Sequence, residues 1–167
     1  MMTMNTNAPS SPLDRPPAVP DVLINGVQVR HLMSTTPVTI SPDTPVREAQ
    51  RLMQQEQMNH LLVVKEGALL GILAERDVLA VLPSPATSLS KGEVLYLLDK
   101  LTVRQVMTTD LVTVTPDCPV SDAVRLMLAH RIGALPVVEA HQVVGILTQR
   151  DVLQVIIKAQ VVTPVAA

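Results

Sequence analysis

The sequence predicts a mixed α/β fold, of the α+β kind, made of two tandem β-α-β-β-α units. Three observations carry that expectation. A residue pattern recurs 74 positions along the chain, short β-branched runs stand between turn residues, and apolar residues recur at helical spacing behind a proline in each copy.

The repeat is explicit. Val29-Arg30-His31-Leu32-Met33 returns as Val103-Arg104-Gln105-Val106-Met107, and Pro42-Asp43-Thr44-Pro45-Val46 returns as Pro116-Asp117-Cys118-Pro119-Val120. Arg51-Leu52-Met53 is matched by Arg125-Leu126-Met127, and Gly71-Ile72-Leu73 by Gly145-Ile146-Leu147. Arg76-Asp77-Val78-Leu79 is matched by Arg150-Asp151-Val152-Leu153. Some fifty residues align without insertion or deletion, and about half of them are identical.

Taken in order, residues 1–24 form a proline-rich tail with Pro9, Pro12, Pro16, Pro17 and Pro20 among small polar residues. It has no apolar period and is expected to be disordered. It also lacks the basic start and continuous apolar core of a secretory signal. The first repeat covers 25–82. Val38-Thr39-Ile40 reads as a strand, Pro45 suits the first position of a helix, and Val46, Ala49, Leu52 and Met53 make that helix's apolar face. Strands follow at 61–64 and 69–73, and a second helix begins near Arg76. The second repeat, 103–160, reads alike: Val112-Thr113-Val114, then Pro119 and the face Val120, Ala123, Leu126, Met127, then strands at 135–138 and 143–147, then a helix from near Arg150. Gly71 and Gly145 are expected to allow a tight approach or a bulge in their strands.

The linker, 83–102, opens as a loop and continues as a helix. Ser90-Lys91-Gly92-Glu93 has capping-box spacing, and Val94, Leu95, Leu97, Leu98 and Leu101 form an apolar stripe. That stripe packs on its own module or on a dimer partner. A short tail, 161–167, closes the chain.

Composition removes whole classes of function. Apolar residues are 47% and charged residues 17%, too apolar for a disordered chain, yet no apolar run approaches the ~18 residues that span a bilayer. Membrane insertion is therefore not expected. The net charge is -2, the 13 Lys and Arg are scattered, and Tyr96 is the sole aromatic, so no nucleic-acid surface is expected. A single cysteine, Cys118, excludes an internal disulfide and fits a reducing, cytoplasmic setting. Its place is the residue before a helix. His31, His60, His130 and His141 show no metal-ligand spacing, and no paired carboxylates or nucleophile–base arrangement point to an enzyme.

The doubled motifs V-R-x-h-M, P-D-x-P-V and G-I-L-x-x-R-D-V-L resemble a tandem pair of cystathionine-β-synthase (CBS) domains, a Bateman module, over roughly residues 27–158. The resemblance is to a stand-alone pair, with no room left for a catalytic domain. It implies two repeats about a pseudo-twofold axis, with two clefts between them. It also implies no required cofactor, but a regulatory ligand containing adenosine, such as AMP, ADP, ATP or S-adenosylmethionine. The family's ribose motif, G-h-x-[ST]-x-x-D, is complete in Gly145–Asp151. In Gly71–Asp77, Ala74 replaces the hydroxyl residue. In related modules the carboxylate accepts from the ribose hydroxyls, and the helix start offers N–H groups to an anion.

By the same resemblance, one cleft would combine Ile146, Thr148, Arg150 and Asp151 with Val38, Met58, Asn59 and His60. A second, weaker cleft would combine Ile72, Arg76 and Asp77 with Val112, Ile132, Gly133 and Ala134. Arg150 and Arg76 suit phosphate oxygens, although each Arg-Asp pair also reads as a surface ion pair at a helix start. Family pairs commonly form flat homodimers, for which the stripe Val94, Leu98, Leu101 offers apolar area. The client protein is not specified. A ligand-free pair serving only in dimerisation or docking is the alternative function.

Overall fold

The computed structural model describes residues 26–83 and 88–160. The expected tails at 1–24 and 161–167, and the middle of the linker loop, lie outside the described residues.

Repeat 1 contains β1 (Thr39–Ile40), α1 (Val46–Glu56), β2 (His60–Lys65), β3 (Ala68–Ala74) and α2 (Glu75–Ala80). The linker helix α3 (Lys91–Lys100) and a single turn, α4 (Val103–Val106), precede α5 (Val120–His130), β4 (Ala134–Glu139), β5 (Gln142–Thr148) and α6 (Gln149–Gln160). β1 runs parallel to β2, and β2 pairs antiparallel with β3; β4 and β5 form the matching antiparallel pair.

Two expectations are corrected. The strand at Val112–Val114 shrinks to an isolated parallel bridge between Val114 and Val137. The reason is Pro136. In repeat 1 the Leu62 N–H donates to the Val38 carbonyl at 3.2 Å, and Pro136, at the equivalent position, has no N–H to give Val112. The two helix prolines also sit one residue earlier than expected. Pro45 and Pro119 are N-caps in extended conformation (ψ 142° and 136°), and the helices start at Val46 and Val120. The Val46 N–H donates to the Leu101 carbonyl and the Val120 N–H to the Val27 carbonyl, which holds each proline in a bridge rather than a helical turn. Cys118 therefore precedes the cap rather than the helix.

The helices turn the expected faces inward. Val46, Ala49 and Met53 are buried in α1, and Val120, Ala123 and Met127 in α5, with Leu52 and Leu126 half-buried. The segment leading into each repeat, however, is built into the other one. Val29 is fully buried among Val114, Val120, Leu135, Val137 and Leu147, while Val103 sits among Val46, Leu61, Val63 and Leu73. Backbone bonds follow the same crossing: Val29 N–H to Cys118 carbonyl and Val103 N–H to Thr44 carbonyl, both 2.9 Å. Beyond them, Ser34 bridges Ile146 and Thr108 bridges Ile72. Every contact has its mirror 74 residues on, which is the signature of a pseudo-twofold axis. Leu62, Ala134 and Ile146, backed by Ile72 and Val64, fill the space between the two sheets.

Both strand glycines are close-approach sites. A side chain on Gly145 would begin 2.6 Å from the Ser34 carbonyl oxygen, and one on Gly71 would begin 2.9 Å from that of Thr108. Each also faces a bulge, at Val63/Val64 and Val137/Val138.

The linker helix is capped as expected: the Ser90 hydroxyl accepts from the Glu93 N–H, and the Ser90 N–H donates to the Glu93 carboxylate at 2.7 Å. Three of its stripe residues pack within the chain, while Leu95 and Leu97 stay exposed. Leu98 is buried, Val94 and Leu101 pack on the core of repeat 1, and Arg47 on α1 pairs with Asp99 at 2.9 Å.

Candidate functional site

The strand-to-helix turns β3–α2 and β5–α6 each present an aspartate as the third residue of the helix. Asp151 Oδ2 accepts from the Thr148 N–H at 2.8 Å and from the Thr148 hydroxyl at 2.6 Å. Asp77 Oδ2 accepts from the Ala74 N–H at 2.9 Å, and with alanine there the hydroxyl donor is lost. Both carboxylates thus cap their own helices with one oxygen. Oδ1 of Asp151 takes no hydrogen bond among the described residues, so it can accept from a ligand hydroxyl.

Two clefts open between the repeats. One, of about 590 Å³, is lined by Val38, Met58, Asn59, His60, Ile146, Thr148, Arg150 and Asp151, together with Ser34, Thr36 and, on α6, Leu153 and Ile157. The other, of about 280 Å³, is lined by Ile72, Arg76, Asp77, Val112, Ile132, Gly133 and Ala134, with Asp110 and His130. Every residue assigned to each cleft by resemblance therefore lines that cleft. A left-handed residue at the end of α1 and of α5, Gln57 and Arg131 (φ 53° in both), turns Met58-Asn59 and Ile132-Gly133 into the clefts. The first volume lies within the range typical of small-molecule sites, about 300–1,000 Å³, and the second just below it. A separate groove of about 280 Å³ between α1 and α2 shares Gln57, Met58 and Asn59 with the larger cleft.

His60 lies between the clefts and lines both. Its ring is 3.3 Å from where a side chain on Gly133 would begin, so the glycine makes its room. Burial first, and the Arg76 guanidinium second, push its pKa below the ordinary value, with Asp77 opposing. The fold thus favours the neutral ring. Above about pH 6.5 this makes no difference to stability. Below it the unfolded chain takes up a proton that the folded chain resists, and stability falls. His60→Gln should therefore flatten the loss of thermal midpoint between about pH 7 and 5, read by scanning fluorimetry; an unchanged slope would assign that loss to other groups.

Arg76 and Arg150 differ. Arg76 donates to the Arg131 carbonyl at 3.4 Å and lies 3.8 Å from Asp77, with two-thirds of its side chain exposed. Such an exposed pair contributes little to stability. Arg150 is exposed and has no hydrogen-bond or ion-pair partner among the described residues.

These clefts sit between two copies of one motif set, and a family model for the CBS domain matches both copies, residues 29–84 and 103–158. The chain belongs to the CBS-domain family. This CBS pair is 34% identical over 124 residues to the CBS domain-containing protein YhcV of Bacillus subtilis, spanning 74% of this chain and 81% of that one. It is 33% identical over 116 residues to the inosine-5′-monophosphate dehydrogenase of Korarchaeum cryptofilum, spanning 69% of this chain but only 21% of that enzyme. Among solved structures, the CBS domain pair of protein MJ0100 in complex with 5′-methylthioadenosine and S-adenosyl-L-methionine aligns with a TM-score of 0.64 at 27% identity, over 79% of this chain and 97% of that one. CBSX2 in complex with AMP aligns with a TM-score of 0.65 at 26% identity, over 81% and 99%.

The CBS pair also recruits cleft residues that motif reading missed. Thr36 and Asp110 stand at equivalent positions, two residues before Val38 and Val112. The 74-residue offset would have paired them, because Val38 and Val112 were already assigned to opposite clefts. Leu153 and Ile157 were legible as apolar helix positions, but not as part of a cleft wall. Among the described residues no helix is long and apolar enough to cross a membrane, and no cluster of His, Cys, Asp or Glu could hold a metal ion.

Proposed function

We propose that this CBS pair is a cytoplasmic regulatory module that binds an adenosine-containing ligand in the Asp151 cleft and thereby alters its hold on a client protein. The observation that carries this reading is the convergence of eight residues from both repeats on one cleft, with the complete ribose motif at its edge. Asp151 Oδ1 would accept from the ribose, Val38 and Ile146 would enclose the adenine, and Arg150, unpartnered among the described residues, would meet a phosphate. AMP, ADP, ATP and S-adenosylmethionine are the candidates. A thermal-shift screen of these four tests it, since a ligand that binds only the folded chain raises the melting midpoint by mass action. No shift with any of them would favour a pair that acts only by docking.

We further propose a homodimer, built not on the linker stripe but on the outer helices. Leu79 on α2, Leu128 on α5, and Leu153 and Ile157 on α6 are each more than half exposed. A twofold contact is the commonest way to cover such residues. Light scattering should give twice the chain mass of 18.0 kDa, and Leu128→Glu should return it to a monomer; a wild-type monomer at micromolar concentration would remove this proposal.

A further inference from the structure

The two clefts are built from equivalent positions, yet they differ in charge and space, and His130 lines the Asp77 cleft alone. Where the Asp151 cleft has Thr36, the Asp77 cleft has Asp110. Among formal charges, Arg150 and Asp151 line one cleft, whereas Arg76, Asp77 and Asp110 line the other. Arg76 is moreover tied to the Arg131 carbonyl and to Asp77, while Arg150 is free of such ties among the described residues. Asp151 is screened by the Thr148 hydroxyl, a donor that Asp77 lacks. Burial and Arg76 lower the His60 pKa, with Asp77 opposing, so its ring is not a strong source of positive charge here. The Asp77 cleft is also about half as large, 280 against 590 Å³.

A phosphate entering the Asp77 cleft would meet two carboxylates, the half-buried Asp77 and the exposed Asp110, and like charges repel. A ligand with a neutral or positive 5′ group meets no such barrier and needs less room. We propose that the two clefts sort adenosine ligands by the charge of the 5′ substituent. The Asp151 cleft takes the phosphate-bearing ligand. The Asp77 cleft takes one whose 5′ group is a thioether or sulfonium, and Asp110 is the discriminating residue. This rests on the adenosine-binding reading above.

Titration calorimetry on the full chain with AMP and 5′-methylthioadenosine tests both levels. Wild type should take one AMP per chain, and the AMP-saturated protein should still bind 5′-methylthioadenosine. Asp110→Thr, which copies the other cleft, should admit a second AMP by raising its affinity there about tenfold or more, the order expected for removing one like charge near a phosphate. Asp110→Asn, similar in shape but uncharged, should do the same. Thr36→Asp should weaken the first AMP by about tenfold. Both positions are exposed, so ligand-free melting midpoints should stay near wild type. If AMP stoichiometry and affinity are indifferent to Asp110, or AMP competes fully with 5′-methylthioadenosine, sorting is overturned while adenosine binding stands. If neither probe binds, both readings fall.

Discussion

Asp151→Ala is expected to weaken AMP binding by roughly ten- to a hundredfold, because losing a charged hydrogen-bond partner costs about 1.5–3 kcal/mol. Asp77→Ala should change it far less. Titration calorimetry on both variants decides between the clefts: equal losses would mean two comparable AMP sites, and a loss confined to Asp77→Ala would move the site to the other cleft. Asp151 also caps α6, through the Thr148 N–H and hydroxyl, so Asp151→Ala should cost about 1 kcal/mol of stability as well. Asp151→Asn separates the two roles. Its amide oxygen can still accept from the Thr148 N–H, while the charge proposed to hold a ribose is gone.

The second large effect is on stability. Gly145→Ala would place a methyl group 2.6 Å from the Ser34 carbonyl oxygen and 3.0 Å from the Met33 sulfur. The Ser34 oxygen is backbone and itself accepts from the Ile146 N–H, so it cannot swing aside without loss. Overpacking of this kind costs about 1–3 kcal/mol, and at this chain length each kcal/mol lowers the melting midpoint by about 2–4 °C. Gly71→Ala should cost less, since its closest neighbour at 2.8 Å is the flexible end of Met107, although the Thr108 carbonyl follows at 2.9 Å. Gly92→Ala provides the control. It lies in α3 with nothing within 4 Å of the added carbon, and helix propensity should make it stabilising by up to about 1 kcal/mol. If Gly145→Ala melts like Gly92→Ala, the crossed contact is looser than its geometry implies.

The sheets and helices were legible because the duplication supplies each element twice, so a weak local signal in one copy is checked by the other. Period-two and helical spacings then place the strands and the faces of α1 and α5. The cleft residues were legible only through the family resemblance, since no local pattern says that Met58-Asn59-His60 faces Asp151 rather than Asp77. His60 shows where that reasoning stops: its strand position is plain in the sequence, but its place between both clefts depends on the room left by Gly133. The crossing of the leading segments was equally hidden. The apolar side chain of Val29 announces burial, not the repeat in which it will be buried. Pro136 was visible throughout, yet its effect on Val112 follows only once β2 and β1 are seen to share a bond at Leu62.

That crossing has a consequence for the order in which the chain can be made. Residues 27–34 leave the ribosome well before their partners: the carbonyls of Pro116 and Cys118 that receive Arg30 and Val29, and the strand that receives Ser34, are synthesised only much later. Repeat 1 likewise lacks Val103, a fully buried part of its own core, until the linker has emerged. Neither half can close while the nascent chain is short. Its exposed strands must wait for long-range partners, the kind of contact that slows folding and leaves apolar surface open to aggregation in the meantime.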